Sequence, residues 1–180
     1  IILAFIAATF SRTRARRDHL KREWGKVLDL GLKLREEMKN ATPEQRKAMA
    51  LLAPSSSKEE SFSMDEVQRL ADEPLQETLI TSITTQTELL MPMNLSFLCT
   101  EDDIGFITSD DPCVWFDPEA YKRPAFYRSP GLAYKTIEIT LPISPNMMAL
   151  LTWHPLSLYN NVPNDLVDEF NRRTRFFAEE

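Results

Sequence analysis

The sequence predicts an α+β fold: a helical N-terminal half packed on a small, mostly antiparallel sheet that a C-terminal helix closes. Three observations support this fold class. Apolar residues recur at helical spacing through the first half of the chain, alternate at strand spacing in the second half, and return to helical spacing after Pro163. With only 4 glycines and as many as 12 prolines, long helices with rigid connections are favoured over a Gly-rich barrel.

The length of 180 residues fits a single domain. Within it we predict a helical arm over residues 1–53, a mobile linker over 54–61, and helices followed by a β-rich core over 62–180. The linker is rich in Ser, Lys and Glu and has no apolar periodicity.

The first helix is predicted from Ile2 to about Asn40. Its first ten residues are strongly apolar, but a segment of this length is too short for a membrane span of about 20 residues. We interpret them as a core helix, with a truncated membrane anchor as the alternative. Because the chain opens with Ile1, we expect residues upstream of it. The helix continues with an apolar stripe at spacings of three, four and seven: Leu20, Trp24, Val27, Leu34 and Met38.

Cap signals mark the next helices. Thr42-Pro43-Glu44 opens a helix to about Leu52, and Ser63 with Glu66 fits a capping box. A further helix is expected from Pro74 to Leu90, although its β-branched residues have poor helix propensity.

Strand patterns follow Pro92. We predict a hairpin and three further strands: Asn94–Thr100 with Gly105–Thr108, then Val114–Phe116, Lys135–Leu141 and Met147–Trp153. The last strand is apolar throughout, which is typical of a strand buried on both faces. Residues 117–131 are expected to form an irregular loop, and residues 142–146 a turn stiffened by two prolines.

A final amphipathic helix is expected to end near Ala178, with Val167, Phe170, Thr174 and Phe177 inward. Three arginines of this helix are predicted to face outward: Arg172, Arg173 and Arg175.

Charge is unevenly distributed. Residues 1–60 hold 13 Lys and Arg against 8 Asp and Glu, whereas residues 61–180 hold 8 against 19. This acidity argues against a nucleic-acid partner, because such binding depends on neutralising phosphates. Cys99 and Cys113 fit neither a disulfide framework nor a zinc-ligand spacing, so we expect reduced thiols and a cytoplasmic location.

Three segments carry a resemblance to a known family. They are the apolar-then-Arg stretch Phe5–Arg17, the run Phe106-Ile107-Thr108-Ser109-Asp110-Asp111-Pro112, and Leu141-Pro142-Ile143-Ser144-Pro145. Together they resemble a largely bacterial family known as domain of unknown function 4238, over residues 1–17 and 95–180. The family pattern usually has Asn at the position of Asp111, and an N-terminal segment with His and Pro that has no counterpart here. The resemblance implies an α+β domain and implies no reaction.

The run ending in Pro112 also concentrates the candidate site residues. Asp110 and Asp111 are candidate ligands for Mg²⁺ or Ca²⁺, which prefer carboxylate oxygens. Ser109 is a candidate binding residue, and Glu138 and His154 are the acid/base candidates. The alternative interpretation is structural: Asp before Pro typically caps a turn, and no cofactor is evident.

Two basic segments have alternative interpretations as well. Arg12 and Arg14 could bind an acidic ligand or form a solvated helix face. Aromatic and basic residues alternate in the loop after Phe116, where the rings could stack nucleic-acid bases or fold onto the sheet.

Two functions therefore remain open. The first is a non-catalytic interaction or regulatory module, with a protein partner or self-association through the N-terminal helix. The second is a metal-assisted hydrolase or nuclease that uses Asp110 and Asp111. No motif decides whether the protein is an enzyme.

Overall fold

The computed structural model of the protein describes residues 1–52 and 63–178, so the predicted linker at 54–61 lies outside the described residues. The helices of this part of the chain are α1 (Ile2–Ser11), α2 (Arg14–Asn40), α3 (Pro43–Leu52), α4 (Met64–Asp72), α5 (Pro74–Leu90) and α6 (Asn164–Phe177). The strands are β1 (Asn94–Cys99), β2 (Val114–Phe116), β3 (Glu138–Ser144), β4 (Met147–Thr152) and β5 (Tyr159–Asn161). The predicted α+β class is confirmed.

The chain forms two compact units. One unit contains residues 1–16 and 80–180 and includes α1, the sheet and α6. The other contains residues 17–79 and includes α3, α4 and most of α2. The description of the chain as a single domain stays a prediction.

The sheet is mixed, with the strand order β2-β3-β4-β1-β5. Three strand pairs are antiparallel, and only β1 and β5 are parallel. The central strand β4 is buried on both faces, as predicted. Its Ala149 and Leu151 belong to one core cluster, and its Met148 and Leu150 belong to a second.

Each face of the sheet is covered by a helix of the same unit. Ile6 and Ala7 of α1 pack with Ile139 and Leu141 of β3, so the apolar start of the chain is a core helix, as predicted. Full burial of an Ile or Leu side chain contributes about 1.5–3 kcal/mol to the stability of the fold. Val167 and Phe170 of α6 cover the opposite face, together with Leu98 of β1. Among the described residues, no helix combines the length and the apolar content needed to cross a membrane.

The long N-terminal helix is interrupted, contrary to the prediction of one helix from Ile2 to Asn40. α1 ends with Arg12 as its C-cap, and α2 starts at Arg14. The Thr13 hydroxyl accepts a hydrogen bond from the Arg16 amide and donates one to the Phe10 carbonyl. Thr13 thus acts as a cap for the second helix, which the continuous apolar and basic pattern did not reveal.

The predicted hairpin between Asn94–Thr100 and Gly105–Thr108 is wrong. β1 forms as predicted, but its neighbours are β4 and β5, and residues 105–108 form no strand. Gly105 has a φ of 66°, and the Phe106 amide donates instead to the Pro145 carbonyl over 2.7 Å. β5 was missed because it is only 3 residues long and polar.

Pro142 lies inside β3 rather than in a turn, since this strand continues to Ser144. The register with β4 shifts between Pro142 and Ser144, and such an irregularity is where a sheet tolerates proline. The segment after Phe116 is irregular, as predicted, apart from 3-10 turns at Ala120–Lys122 and Ala125–Tyr127.

The α5 helix forms despite its β-branched residues, as predicted. The hydroxyls of Thr78, Thr84 and Thr87 each bond to the carbonyl four residues before, at 2.7, 3.0 and 2.7 Å. This pairing satisfies the hydroxyl groups without breaking the helical backbone.

Candidate functional site

The loop between β1 and β2 holds three of the seven predicted site residues, Ser109, Asp110 and Asp111, and its backbone is organised by Asp102. The Asp102 Oδ1 atom accepts hydrogen bonds from the amides of Ile104 and Gly105, at 2.8 and 3.0 Å. A Cβ atom on Gly105 would lie 2.8 Å from the carbonyl carbon of Pro145. Both its positive φ and this close approach therefore require glycine.

The same loop is held from the other side by Asn171 of α6. The Asn171 Oδ1 accepts from the Ile107 amide at 3.0 Å, and its Nδ2 donates to the Gly105 carbonyl at 2.8 Å. Sequence reasoning missed this residue. The available signal was an amide side chain directly after Phe170 on the inner face of the helix, where it is fully buried. A buried amide needs partners, and here it binds backbone.

Ser109, Asp110 and Asp111 follow this anchored segment. The Asp110 Oδ1 accepts a hydrogen bond from the Asp111 amide at 3.1 Å, in a bend directly before Pro112. The Ser109 Oγ is buried and has no hydrogen-bond partner among the described residues. No group of three or more His, Cys, Asp and Glu that could hold a metal occurs in residues 1–52 and 63–178. Metal binding by the two carboxylates stays a prediction.

Beyond Pro112 the chain enters the core through Cys113. Burial raises the pKa of the Cys113 thiol to about 12; the nearby Trp115 opposes this shift and the charge of Asp111 adds to it. The Trp115 ring stacks on Phe10 of α1 with 4.7 Å between centroids. This thiol is therefore a packing group, and a nucleophilic role would require a thiolate that the site disfavours.

The acid/base candidates lie at a different end of the sheet from the aspartates. Glu138 pairs with Phe116, at the end of β2, whereas Asp111 precedes the start of β2. His154 follows Thr152, which pairs with Glu138, and it is exposed. The structure thus brings the two acid/base candidates to one end of the sheet and leaves Asp110 and Asp111 beyond the other end of β2.

Glu138 is engaged by Arg173, which was predicted to face outward. The Arg173 side chain is only 13% exposed; its Nη1 lies 2.6 Å from Glu138 and its Nε 2.9 Å from Glu169. Its guanidinium also stacks 3.9 Å above the Phe116 ring. The outward prediction is wrong because α6 packs against β2, which places Arg173 between two carboxylates. The hydrogen bonds of Arg173 are the main reason that the pKa of Glu169 is lowered.

Arg12 and Arg14, the candidate anion-binding residues, lie on either side of the helix interruption. Arg12 is the C-cap of α1 and Arg14 is the first residue of α2, and both are exposed. A role in ligand binding stays a prediction for both.

A groove of about 720 Å³ lies in the unit of residues 17–79. It is lined by one glycine, three apolar side chains and three cations: Gly31; Leu34, Met38 and Met64; Arg35, Lys39 and Arg46. The Met64 sulfur would lie 3.0 Å from a Cβ atom on Gly31, so Gly31 marks a close approach of α2 and α4. Sequence analysis found the apolar stripe of α2 but not its juxtaposition with α4.

The fold and these contacts define an α+β protein in which the final helix holds a glycine-centred acidic loop at the edge of a mixed sheet. The chain belongs to the family described as "Protein of unknown function (DUF4238)", whose model matches residues 1–180. The match is wider than the resemblance over 1–17 and 95–180, because it includes the middle helices. Neither the search of curated proteins nor the search of solved structures found a match.

Proposed function

We propose that the protein is a non-catalytic interaction module, and that the groove of residues 17–79 binds an apolar segment of a partner protein flanked by acidic residues. The observation that carries the proposal is the lining of this groove, which joins apolar side chains to three cations. An amphipathic segment that lays its apolar face into such a groove is a common mode of recognition.

The exposure of α2 supports an interface here. All of its residues are described and none is buried. Val27, Leu30, Leu34 and Met38 are exposed and follow helical spacing. Contiguous exposed apolar surface of this kind marks interaction sites. α1, in contrast, is covered by the core of its own unit, so the interface is assigned to α2.

Charge determines the class of partner. Arg35, Lys39 and Arg46 line the groove, and Arg46 donates a hydrogen bond to the Lys39 carbonyl. Carboxylates beside the apolar anchor of a partner would complement these cations and raise the rate of association. We therefore assign the groove to a partner segment that is both acidic and apolar. Binding of a second copy of the chain in the groove would replace this assignment.

The test uses a photo-crosslinking amino acid at Leu34, which lines the groove, and at Leu32, which is an equally exposed leucine of α2 outside it. We expect the Leu34 position, and not Leu32, to crosslink in cells to a defined protein at a segment rich in Asp, Glu and apolar residues. Arg35→Glu and Arg46→Glu should reduce that crosslink. Equal crosslinking from both positions would overturn the proposal. A crosslink from Leu34 to a second copy of the chain, together with a dimer detected by light scattering, would overturn it as well.

A metal-assisted hydrolase or nuclease is the second candidate. What supports it is the buried, unpartnered Ser109 Oγ beside Asp110 and Asp111, because a buried polar atom without a partner requires an explanation. In this candidate the two carboxylates would hold Mg²⁺ or Ca²⁺ and orient a water molecule for attack. Thermal melts with and without Mg²⁺, Mn²⁺ and Ca²⁺ test it. A rise in melting temperature that Asp110→Asn or Asp111→Asn abolishes would support it, and no rise would remove it.

We also propose a cytoplasmic location. Both thiols are free, and Cys113 is buried in the core, where a reducing compartment would keep it as a thiol. Fractionation of cells that express the tagged chain tests this location directly.

A further inference from the structure

The loop between β2 and β3 contains three exposed aromatic rings. Phe126 is 88% exposed, Tyr121 is 71% exposed and Tyr127 is 57% exposed. Their sequence allows two interpretations for these rings, stacking on bases or folding onto the sheet. The second interpretation does not hold for these three residues, since rings packed on the sheet would be buried.

The loop is nevertheless fixed by internal contacts. Asp117 is buried and forms an ion pair with Arg123, and it accepts a hydrogen bond from the Thr136 hydroxyl at 2.8 Å. The Arg123 guanidinium lies 3.6 Å from the centroid of the Tyr134 ring. These contacts join the two ends of the loop, so its backbone is fixed at both ends.

Further hydrogen bonds reach the aromatic segment itself. The Arg128 Nε donates to the Arg123 carbonyl at 2.9 Å, and the Tyr134 hydroxyl donates to the Tyr127 carbonyl at 3.3 Å. The 3-10 turns at Ala120–Lys122 and Ala125–Tyr127 hold Tyr121 and the Phe126–Tyr127 pair. A loop whose backbone is already held in place loses little conformational entropy on binding, which favours a role in recognition.

Cations are concentrated in the same loop. Residues 117–136 carry four Lys and Arg and two Asp and Glu, in a half of the chain that is otherwise acidic. Lys122 is exposed and pairs with Glu119, and Lys135 lies 3.4 Å from the centroid of the Trp153 ring. Arg128 is exposed as well. The loop is therefore a local basic and aromatic surface.

We propose that this aromatic loop, residues 117–136, binds single-stranded nucleic acid. The rings are presented as open faces, and an almost fully exposed ring offers a surface for a planar base rather than walls around an inserted side chain. Every base has such a face, so the binding is tolerant of sequence. Lys122, Arg128 and Lys135 supply the charge for the phosphates. The acidity of the rest of the chain keeps the affinity modest, because it repels the phosphates outside this surface.

The experiment is a fluorescence anisotropy titration of a labelled 15-nucleotide oligothymidine. We expect saturable binding at low salt, and a plot of log K against log salt with a slope of about −2, the value for three neutralised phosphates on a single strand. Phe126→Ala and Tyr121→Ala should each weaken binding about fivefold or more, which corresponds to the loss of one stacked base. Both rings are exposed, so these variants keep the fold.

Matched controls separate stacking from charge. Phe176→Ala removes an aromatic ring of α6 that is 81% exposed and should leave binding unchanged. A 15-base-pair duplex should compete at least fivefold less well than the unlabelled single strand, because its bases are already stacked. The proposal is overturned if the oligothymidine does not bind, if Phe126→Ala binds like the unaltered protein, or if polyglutamate of equal charge competes as well as the single strand. The last result would assign the loop to an acidic peptide.

Discussion

The Nδ2 atom of Asn171 donates a 2.8 Å hydrogen bond to the carbonyl oxygen of Gly105, and the Asn171 side chain is fully buried. The two residues are far apart in sequence and join the last helix to the acidic loop. The conformation of that loop, and with it the placement of Ser109 to Asp111, therefore depends on a contact with the final helix.

Asn171→Leu should destabilise the protein by about 2–4 kcal/mol. The substitution keeps the branched shape of the side chain but leaves the Gly105 carbonyl and the Ile107 amide without their partner, and each unpaired buried group costs about 1–3 kcal/mol. Urea unfolding monitored by circular dichroism measures this change. Asp168→Asn, on the exposed face of α6, is the control and should change stability by less than about 0.5 kcal/mol. A similarly small effect of Asn171→Leu would contradict the assigned contact.

Gly105→Ala should destabilise the protein by at least about 1 kcal/mol, since the residue has a φ of 66° and a Cβ atom would contact the Pro145 carbonyl group. Gly25→Ala is the matched control. Gly25 lies in α2 with no heavy atom within 4 Å of an added Cβ, so alanine there should stabilise the helix by up to about 1 kcal/mol. In thermal melts, we expect the melting temperature to fall for Gly105→Ala and to rise for Gly25→Ala. A neutral Gly105→Ala would show that the loop adopts another backbone conformation.

Arg173→Ala should cost about 1–3 kcal/mol, because it leaves Glu138 and Glu169 without the guanidinium that both contact and removes the stack on Phe116. Arg173→Lys should recover only part of the loss, since an ammonium cannot make both contacts and stack. Arg172→Ala serves as the comparison, because Arg172 is 77% exposed and pairs with Glu169 at the surface. Chemical denaturation of the three variants measures these changes in the free energy of unfolding. Equal losses for Arg172→Ala and Arg173→Ala would refute the inward placement of Arg173.

Asp117 should make the protein less stable in acid. Burial alone would raise the pKa of Asp117, but the hydrogen bonds from Arg123, Thr136 and the Glu119 amide, with the charge of Arg123, lower it below the ordinary value of 3.8. A lowered pKa in the folded state means that the carboxylate stabilises the fold above about pH 4, and that this stability is lost as the pH falls through the folded pKa.

The comparison for this prediction is Asp117→Asn, which cannot ionise. The difference in unfolding free energy between the unaltered protein and this variant should be largest near neutral pH and should shrink below about pH 4. Urea titrations at several pH values measure it. A difference that stays constant from neutral pH to the lowest pH measured would mean that the Asp117 carboxylate is not the group responsible.

Local patterns predicted much of the fold. The capping box predicted at Ser63 and Glu66 is present with both of its hydrogen bonds. The apolar run of β4 predicted a strand buried on both faces, and its side chains lie in two different core clusters because side-chain direction in a strand follows a period of two. The helix interruption at Thr13 depends on a contact of its hydroxyl group, and the loop conformation at Gly105 depends on one backbone angle. Neither feature follows from a local pattern of residues.

The candidate site was predicted only in part. Ser109, Asp110 and Asp111 lie outside the strands, with a bend at Asp110 and Asp111, and the Asp110 side chain accepts a hydrogen bond from the Asp111 amide. The separation of these residues from Glu138 was not predictable, because it follows from the pairing of β2 with β3. Asn171 and Arg173 were assigned no site role from their positions in an amphipathic helix, although both are held inside by contacts with distant residues.

The sequence by itself determined most helices and strands, most of the apolar inward residues and the uneven charge. These properties depend on spacing over a few residues, and the physical causes act within one element. Only the tertiary structure decided which strands pair, which polar side chains are buried, and which apolar side chains of α2 and of the aromatic loop stay exposed. Those outcomes depend on contacts between residues far apart in the chain, and a local pattern carries no information about which distant group will satisfy a hydrogen bond or cover a ring.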